Sequence, residues 1–248
     1  MSLKDLIREI EGRRKTVTVF AHEEDPELGS YFDDWHVAVE HEPLPRDDYE
    51  GFIVVSEGDR YLGSVGLGAV TALESPRICD PGDRELAEAD LHYLLELLDD
   101  TLFTSFDRRR MLAASREFED RAARVGRGTL YAGFQSLSAM RAQISVYRGL
   151  GSIAGLSVRV YGRADWEPPA IPGVTAHRIA DDADEADVWF VTYDGGGNPL
   201  YKCALVAEEV LPGTFYGFWT YDPALVDRVV DCVRGDVADD AVGENETP

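Results

Sequence analysis

Lysine is nearly absent: of 24 cationic residues only Lys4, Lys15 and Lys202 are lysines, and the rest are arginines. Cysteine is scarce too. Cys79, Cys203 and Cys232 are odd in number and contain no C-x-x-C pair, which excludes a disulfide framework and a zinc knuckle. The five histidines, His22, His36, His41, His92 and His177, have no H-E-x-x-H or comparable ligand spacing, so no metal site is expected. Long apolar runs are missing. The least polar stretch, Ser64 to Leu73, has four Gly, Ser or Thr among ten residues and is too short to span a bilayer. The N-terminus, MSLKDLIREIEGRRK, lacks an apolar signal region. These absences predict a cytoplasmic chain with no membrane partner.

What is abundant is negative charge. With 47 Asp and Glu against 24 Lys and Arg, the net charge is −23 on 248 residues. An acidic, lysine-poor composition suits a salt-saturated cytoplasm, where screening shortens the range of self-repulsion to a few ångströms. The carboxylates are scattered rather than gathered into one face, which disfavours a nucleic-acid mimic. Direct nucleic-acid binding is disfavoured as well, because it runs on phosphate neutralisation.

Leu3, Leu6, Ile7 and Ile10 share one helical face, with Ser2 as N-cap and Gly12 as stop. Strands are expected at 16–20, 36–41, 52–55 and 61–65, the last two joined by a hairpin at Glu57-Gly58-Asp59, with a short helix at 26–34 and loops at 42–48 and 74–83. Helices follow at 84–99 and from Asp107 to Gly126, the latter with a seam of Met111, Ser115, Phe118, Ala122 and Val125. Further strands are read at 130–134, 156–161, 188–193, 201–207 and 215–221. Ser136 is expected to cap a helix ending at Gly149–Gly151, and Pro223 to start a final helix with Leu225, Val226, Val229, Val230 and Val233 inward. Residues 16–65 and 129–207 both read β-α-β-β-β, a repeat that competes with chance likeness among hydrophobic strands. The expected fold is α+β or α/β: two small mixed sheets joined by a helical middle, with helices over one face.

No catalytic constellation stands out. Asp194–Pro199 lacks any phosphate-loop spacing and reads as a hairpin turn, and there is no nucleophile elbow. The helix after Asp107 carries many arginines. It reads as a solvated face laced by Arg116–Asp120, Glu117–Arg121 and Asp120–Arg124 pairs, against an anion or partner-docking face on its arginines from Arg108 onward, with Arg109, Arg116 and Arg124 as docking residues. The aromatic run Phe215–Tyr221 is either a central core strand or a pocket wall, and Lys202 either a snorkelling edge residue or a chosen charge. The ligand-binding hypothesis places a pocket where the strand ending at Gln135 meets the helix opened by Ser136. Lys202, Tyr216, Phe218 and Trp219 would come to that edge, with Trp219 as aromatic wall and Tyr193, Asp194 and Glu208 as polar rim.

The stretch LFTSFDRRRMLAASREFEDRAARVGRGTLYAGFQSLS, with WFVTYDGGG, YKCALVAEE and FYGFWTYDP, resembles the DICT sensory domain family in its stand-alone haloarchaeal form. The likeness is most specific over Leu102–Ser138 and Val188–Pro223; in the first 100 residues only SLKDLIREIEGRRKTVTVF matches. It implies a non-enzymatic input domain of signal transduction, with a proposed part in light response in the family. There is no GGDEF motif, kinase signature or helix-turn-helix here, so output would pass through a signalling protein partner. The implied organisation is an N-terminal α/β half at 1–100, a DICT-like sensory core at 101–234 and a disordered acidic tail at 235–248. The alternative is an enzyme with an unrecognised site, such as a hydrolase of nucleotides or other small molecules. An aromatic-lined pocket with a few polar groups favours the sensor, and a cleft of strongly shifted titratable groups favours the enzyme. No cofactor is evident; the expected ligand is a small molecule of unknown identity, and the oligomeric state is left open.

Overall fold

The computed structural model describes residues 1–11, 14–22, 32–45, 51–68, 89–181 and 183–235. The stop at Gly12, residues 26–31, the 74–83 loop, Cys79, the helix start at 84–88 and the tail from 236 lie outside the described residues.

Ser2 opens α1 (Leu3–Ile10) with a capping box: its hydroxyl accepts the Asp5 amide, and the Asp5 carboxylate accepts the Ser2 amide. β1 (Lys15–Ala21) alternates buried and half-buried residues, as a strand with one covered face must. β2 (Val37–Pro43) pairs parallel to it on one side, and β3 (Phe52–Glu57) antiparallel on the other. The expected hairpin leads through Gly58, at φ 56°, into β4 (Arg60–Gly66), completing a four-stranded sheet ordered β2-β1-β3-β4.

The second sheet has seven strands. Its order is β5 (Thr101–Asp107), β11 (Thr214–Thr220), β10 (Cys203–Leu211), β9 (Val188–Tyr193), β6 (Arg127–Ser136), β7 (Gly155–Arg163) and β8 (Val174–Ile179). β6, β7 and β8 run parallel, and every other neighbouring pair is antiparallel. The fold is α+β with two mixed sheets, but only the first is small. β5 and β8 are strands that the sequence reading did not contain.

The repeat is present as topology. In each sheet a first strand (β1, β6) has a parallel neighbour on one side (β2, β7), an antiparallel third strand on the other (β3, β9), and a fourth antiparallel beyond it (β4, β10). The larger sheet adds β8 at one end and β11 and β5 at the other.

Helices cover both faces of the larger sheet, which corrects the one-face expectation. α1 and α5 (Pro223–Gly235) bury Leu3, Ile7, Val226 and Val229 against Tyr131, Phe190, Val206 and Phe218. α3 (Arg108–Val125), a 3-10 helix (Leu137–Gln143) and α4 (Ile144–Gly151) cover Leu130, Phe134, Val191 and Leu205 on the opposite face. The physical reason is that β9 is buried at all six positions, so it needs cover on both sides.

α2 (Ala89–Leu97) seals the joint between the sheets. β4 approaches it so closely that a Cβ on Gly63 would stand 2.5 Å from the Leu97 side chain. On the other side the Leu95 carbonyl accepts the Trp219 indole N–H at 2.8 Å. The chain at 34–36 also pairs with the outer edge of β5: the His36 amide donates to Leu102 O, and the Thr104 amide to Asp34 O. Trp35 therefore stacks edge-on against Phe106 and Trp219, with ring centroids 5.3 and 4.9 Å apart.

Candidate ligand cleft

Asp107 caps α3 by accepting the Arg110 amide, and Gly126 ends it at φ 70°, where a Cβ would be strained. Between these ends the expected apolar seam is buried at Met111, Ser115, Phe118 and Ala122, with Val125 half-buried. The solvated charged face is overturned: Arg116, Glu117, Glu119, Asp120 and Arg121 are buried as well. α3 rests on β5, β6, β9, β10 and β11, while side chains from α2 and α4 and from the 3-10 helix close over its other side.

Charges taken out of water must be paired. Of the three pairs expected along the helix, only Asp120–Arg124 forms, at 3.0 Å. Arg116 turns instead to Glu119 and to the Gln143 side-chain oxygen. Glu119 also accepts the Tyr147 hydroxyl at 2.9 Å. Arg121 pairs with Glu96 at 2.9 Å and lies over the Tyr221 ring at 4.5 Å. Burial, reinforced by the Glu119 carboxylate, pushes the Tyr147 hydroxyl well above the usual phenol range, so it stays a donor. Burial likewise raises the Cys203 thiol and keeps it protonated.

Beside this network a cleft of about 160 Å³ opens between α3, the end of β6 and the 3-10 helix. Its apolar walls are Leu112, Phe134, Ala139 and Trp189; Arg108 and Gln135 stand at its rim. A narrow inner chamber of about 10 Å³, room for roughly one water, shares Leu112, Phe134, Gln143 and Trp189 with it and is lined further by Ser115, Arg116, Glu119 and Tyr147. Arg108, Leu112, Ser115, Arg116 and Glu119 recur at helical spacing along one stripe of α3, so one element supplies rim, wall and floor. Trp189 is fixed by its indole N–H, which donates to Ser115 Oγ at 3.1 Å, while Ser115 Oγ donates to Met111 O. A larger hollow of about 340 Å³ beside β8 is an open groove between Trp166, the 168–171 segment and the edge strand, without such a floor.

The structure divides the residues singled out from the sequence. Gln135 lines the cleft and donates to Asp187 O. Ser136 lies next to it but its side chain does not cap the helix, which begins as a 3-10 turn. Asp165 does that work from a neighbouring loop: it accepts the Ser138 hydroxyl and the Ser138 amide, and these bonds hold its carboxyl below the usual range. Glu208 and Tyr216 pair across strands at the same end of the sheet, but Glu208 meets Lys4 at 3.2 Å, across from α1. Tyr193, Asp194 and Lys202 gather at the opposite end. Tyr193 donates to Arg127 O, Asp194 accepts the Gly196 amide in the turn, and Lys202 pairs with Asp227 of α5. Phe218 and Trp219 face opposite sides of β11 and are both core. Trp219 is wholly buried among the core rings and is not among the residues lining this cleft, and Arg116 is 5% exposed; Arg109 and Arg124 are exposed. Missed in sequence were Leu112, Phe134, Gln143, Tyr147 and Trp189, while Arg108 reads there only as one of the helix's arginines. The available signal was Ser115, a polar residue inside an otherwise apolar seam.

Among the described residues no group of three His, Cys, Asp or Glu is placed to hold a metal ion, and no helix is long and apolar enough to cross a membrane. No protein-family model and no curated protein matches the chain. Among solved structures, polyphosphate kinase from Porphyromonas gingivalis aligns over 96% of this chain at 13% identity with a TM-score of 0.40. The chain spans 48% of that protein's length. Sso1120 from Sulfolobus solfataricus aligns over 64% of this chain and 79% of its own, at 12% identity and a TM-score of 0.18.

Proposed function

We propose that the chain is a non-enzymatic signal-input protein of the DICT-like kind, which takes a small molecule in the cleft between α3 and the 3-10 helix and acts through a protein partner. The observation that carries this is the make-up of the cleft: apolar walls including Phe134 and Trp189, and a floor in which the Glu119 carboxylate accepts from both Arg116 and Tyr147. Such a site binds and orients rather than reacts. The Glu119 carboxylate is held by Arg116 and Tyr147, and Ser115 Oγ already donates to Met111 O, so neither is poised as a nucleophile or free base. The cleft also touches α3, which lies against five strands, so occupancy would be felt across the larger sheet.

The test is mass spectrometry of small molecules retained after native purification in molar KCl, alongside Ala139→Phe, which fills the cleft. Wild type is expected to retain or saturably bind a compound and return it unchanged, whereas Ala139→Phe loses binding with its melting temperature kept. A compound converted to product overturns the non-enzymatic reading, and a filled variant that binds as wild type overturns the site.

A further inference from the structure

Resting on that reading of the cleft, we propose that its ligand is a monocyclic aromatic carboxylate: one flat six-membered ring held between the apolar walls, with its anionic group at Arg108.

Size comes first. A cavity of about 160 Å³ is close to the roughly 150 Å³ that accepts a benzene molecule in an apolar protein interior. The cleft opens to solvent at Arg108 and Gln135, so one ring fits within it while a nucleotide or a bicyclic cofactor would protrude, and a simple inorganic anion would leave the walls unsatisfied. The walls are Leu112 from α3, Phe134 from β6, Ala139 from the 3-10 helix and Trp189 from β9. Four elements thus present apolar surface to one space, the arrangement that binds a ring by burial rather than by polar contacts.

Charge comes second. Arg110 is committed to Asp34, Arg116 to Glu119, Arg121 to Glu96, Arg163 to Asp187 and Arg228 to Glu9. Of the arginines without an ion pair among the described residues, which include Arg109, Arg127 and Arg148, Arg108 is the one at this cleft. It lines the cleft, is exposed, and makes no ion pair among the described residues. In a chain of net charge −23, an arginine without an ion pair at the rim of an apolar cleft favours an anionic group there. Its planar fork matches a carboxylate bidentately. Arg108 is also the first residue of an 18-residue helix, directly after the Asp107 carboxylate that caps it, so the attraction for an anion rests on the Arg108 guanidinium itself.

Polarity of the floor comes third. The inner chamber is lined by the Arg116–Glu119–Tyr147 network, and Arg116 Nε is buried there without a hydrogen-bond acceptor. Glu119 in the same floor repels a carboxylate pushed inward, so the acid group stays at the rim and the ring points in. A small acceptor on the far side of the ring, such as a hydroxyl, would find Arg116 Nε–H unsatisfied.

The test uses the full chain at one fixed molar KCl concentration, so that screening is equal throughout. Benzoate, its neutral isostere benzamide, and cyclohexanecarboxylate are titrated while the Trp189 indole resonance is followed by NMR. Benzoate is expected to shift that resonance saturably and to bind about tenfold more tightly than benzamide, the effect of one charge-assisted contact. Arg108→Gln is expected to abolish that preference and leave benzamide binding as it was. Equal affinity for benzoate and benzamide, or a preference that survives Arg108→Gln, overturns the carboxylate inference. Tighter binding of cyclohexanecarboxylate overturns the flat-ring requirement. If none of the three binds but a different retained molecule is found in the cleft, the ligand class proposed here fails and the sensory reading stands. If Ala139→Phe also leaves every binding result unchanged, both fail.

Discussion

Trp219 and Lys202 show how little a residue type says without its surroundings. Trp219 is wholly buried, its indole N–H donates to Leu95 O, and its ring meets Trp35 and Phe103. Trp219→Ala should lower unfolding stability by about 3–5 kcal/mol, read as a shift of the denaturant midpoint. Lys202→Met removes a pair with a largely exposed Asp227 and should change stability by less than about 1 kcal/mol. A Trp219→Ala midpoint equal to wild type would contradict the packing described here. Strand alternation alone puts Ala204 and Val206 on one face and Cys203, Leu205 and Ala207 on the other, and the two packed layers divide them so. What alternation cannot tell is position along the sheet. Asp194 and Lys202 ended up at the opposite end of β6 from Gln135 because strand register depends on partners distant in sequence.

At the scale of elements, α3 is the informative case. Its start, stop and apolar seam were legible, since caps and 3.6-residue spacing are local. Its buried charges were not, because spacing reports one covered face and α3 has two. That double cover makes the polar side costly to disturb. Glu119→Gln would leave Arg116 without its carboxylate, at an expected cost of about 3 kcal/mol in equilibrium unfolding. Replacing both together, Arg116→Met with Glu119→Leu, should restore most of the loss; a double variant as unstable as the single one would show that the pair itself is not what matters. β5 escaped detection for a related reason. TLFTSFD has no clean alternation, and it becomes a strand by pairing with β11 and with residues 34–36. β8, VTAHRI, is an edge strand with a single buried position and no apolar alternation to read.

For the molecule as a whole, composition and topology act together. The net charge of −23 opposes compaction most strongly in dilute salt, where the repulsion reaches roughly 10 Å at 0.1 M. The thermal midpoint is expected to climb from 0.1 M to several molar KCl, and a flat response by calorimetry would contradict the reading of the acidic composition. The joint between the two sheets has a consequence for how the chain must be made. Trp35, Phe103 and Phe106 belong to the first half, yet the ring that packs against all three, Trp219, comes near the end, 124 positions after the Leu95 carbonyl it binds. A chain emerging from the ribosome therefore carries a set of large uncovered rings through most of its synthesis. β5 meanwhile waits with its β11 side unpaired, the kind of surface that sticks to neighbouring nascent chains. Any stop in translation ahead of β11 would leave that surface permanently open, so a shortened product of this protein is destined for chaperones or proteases rather than for partial use.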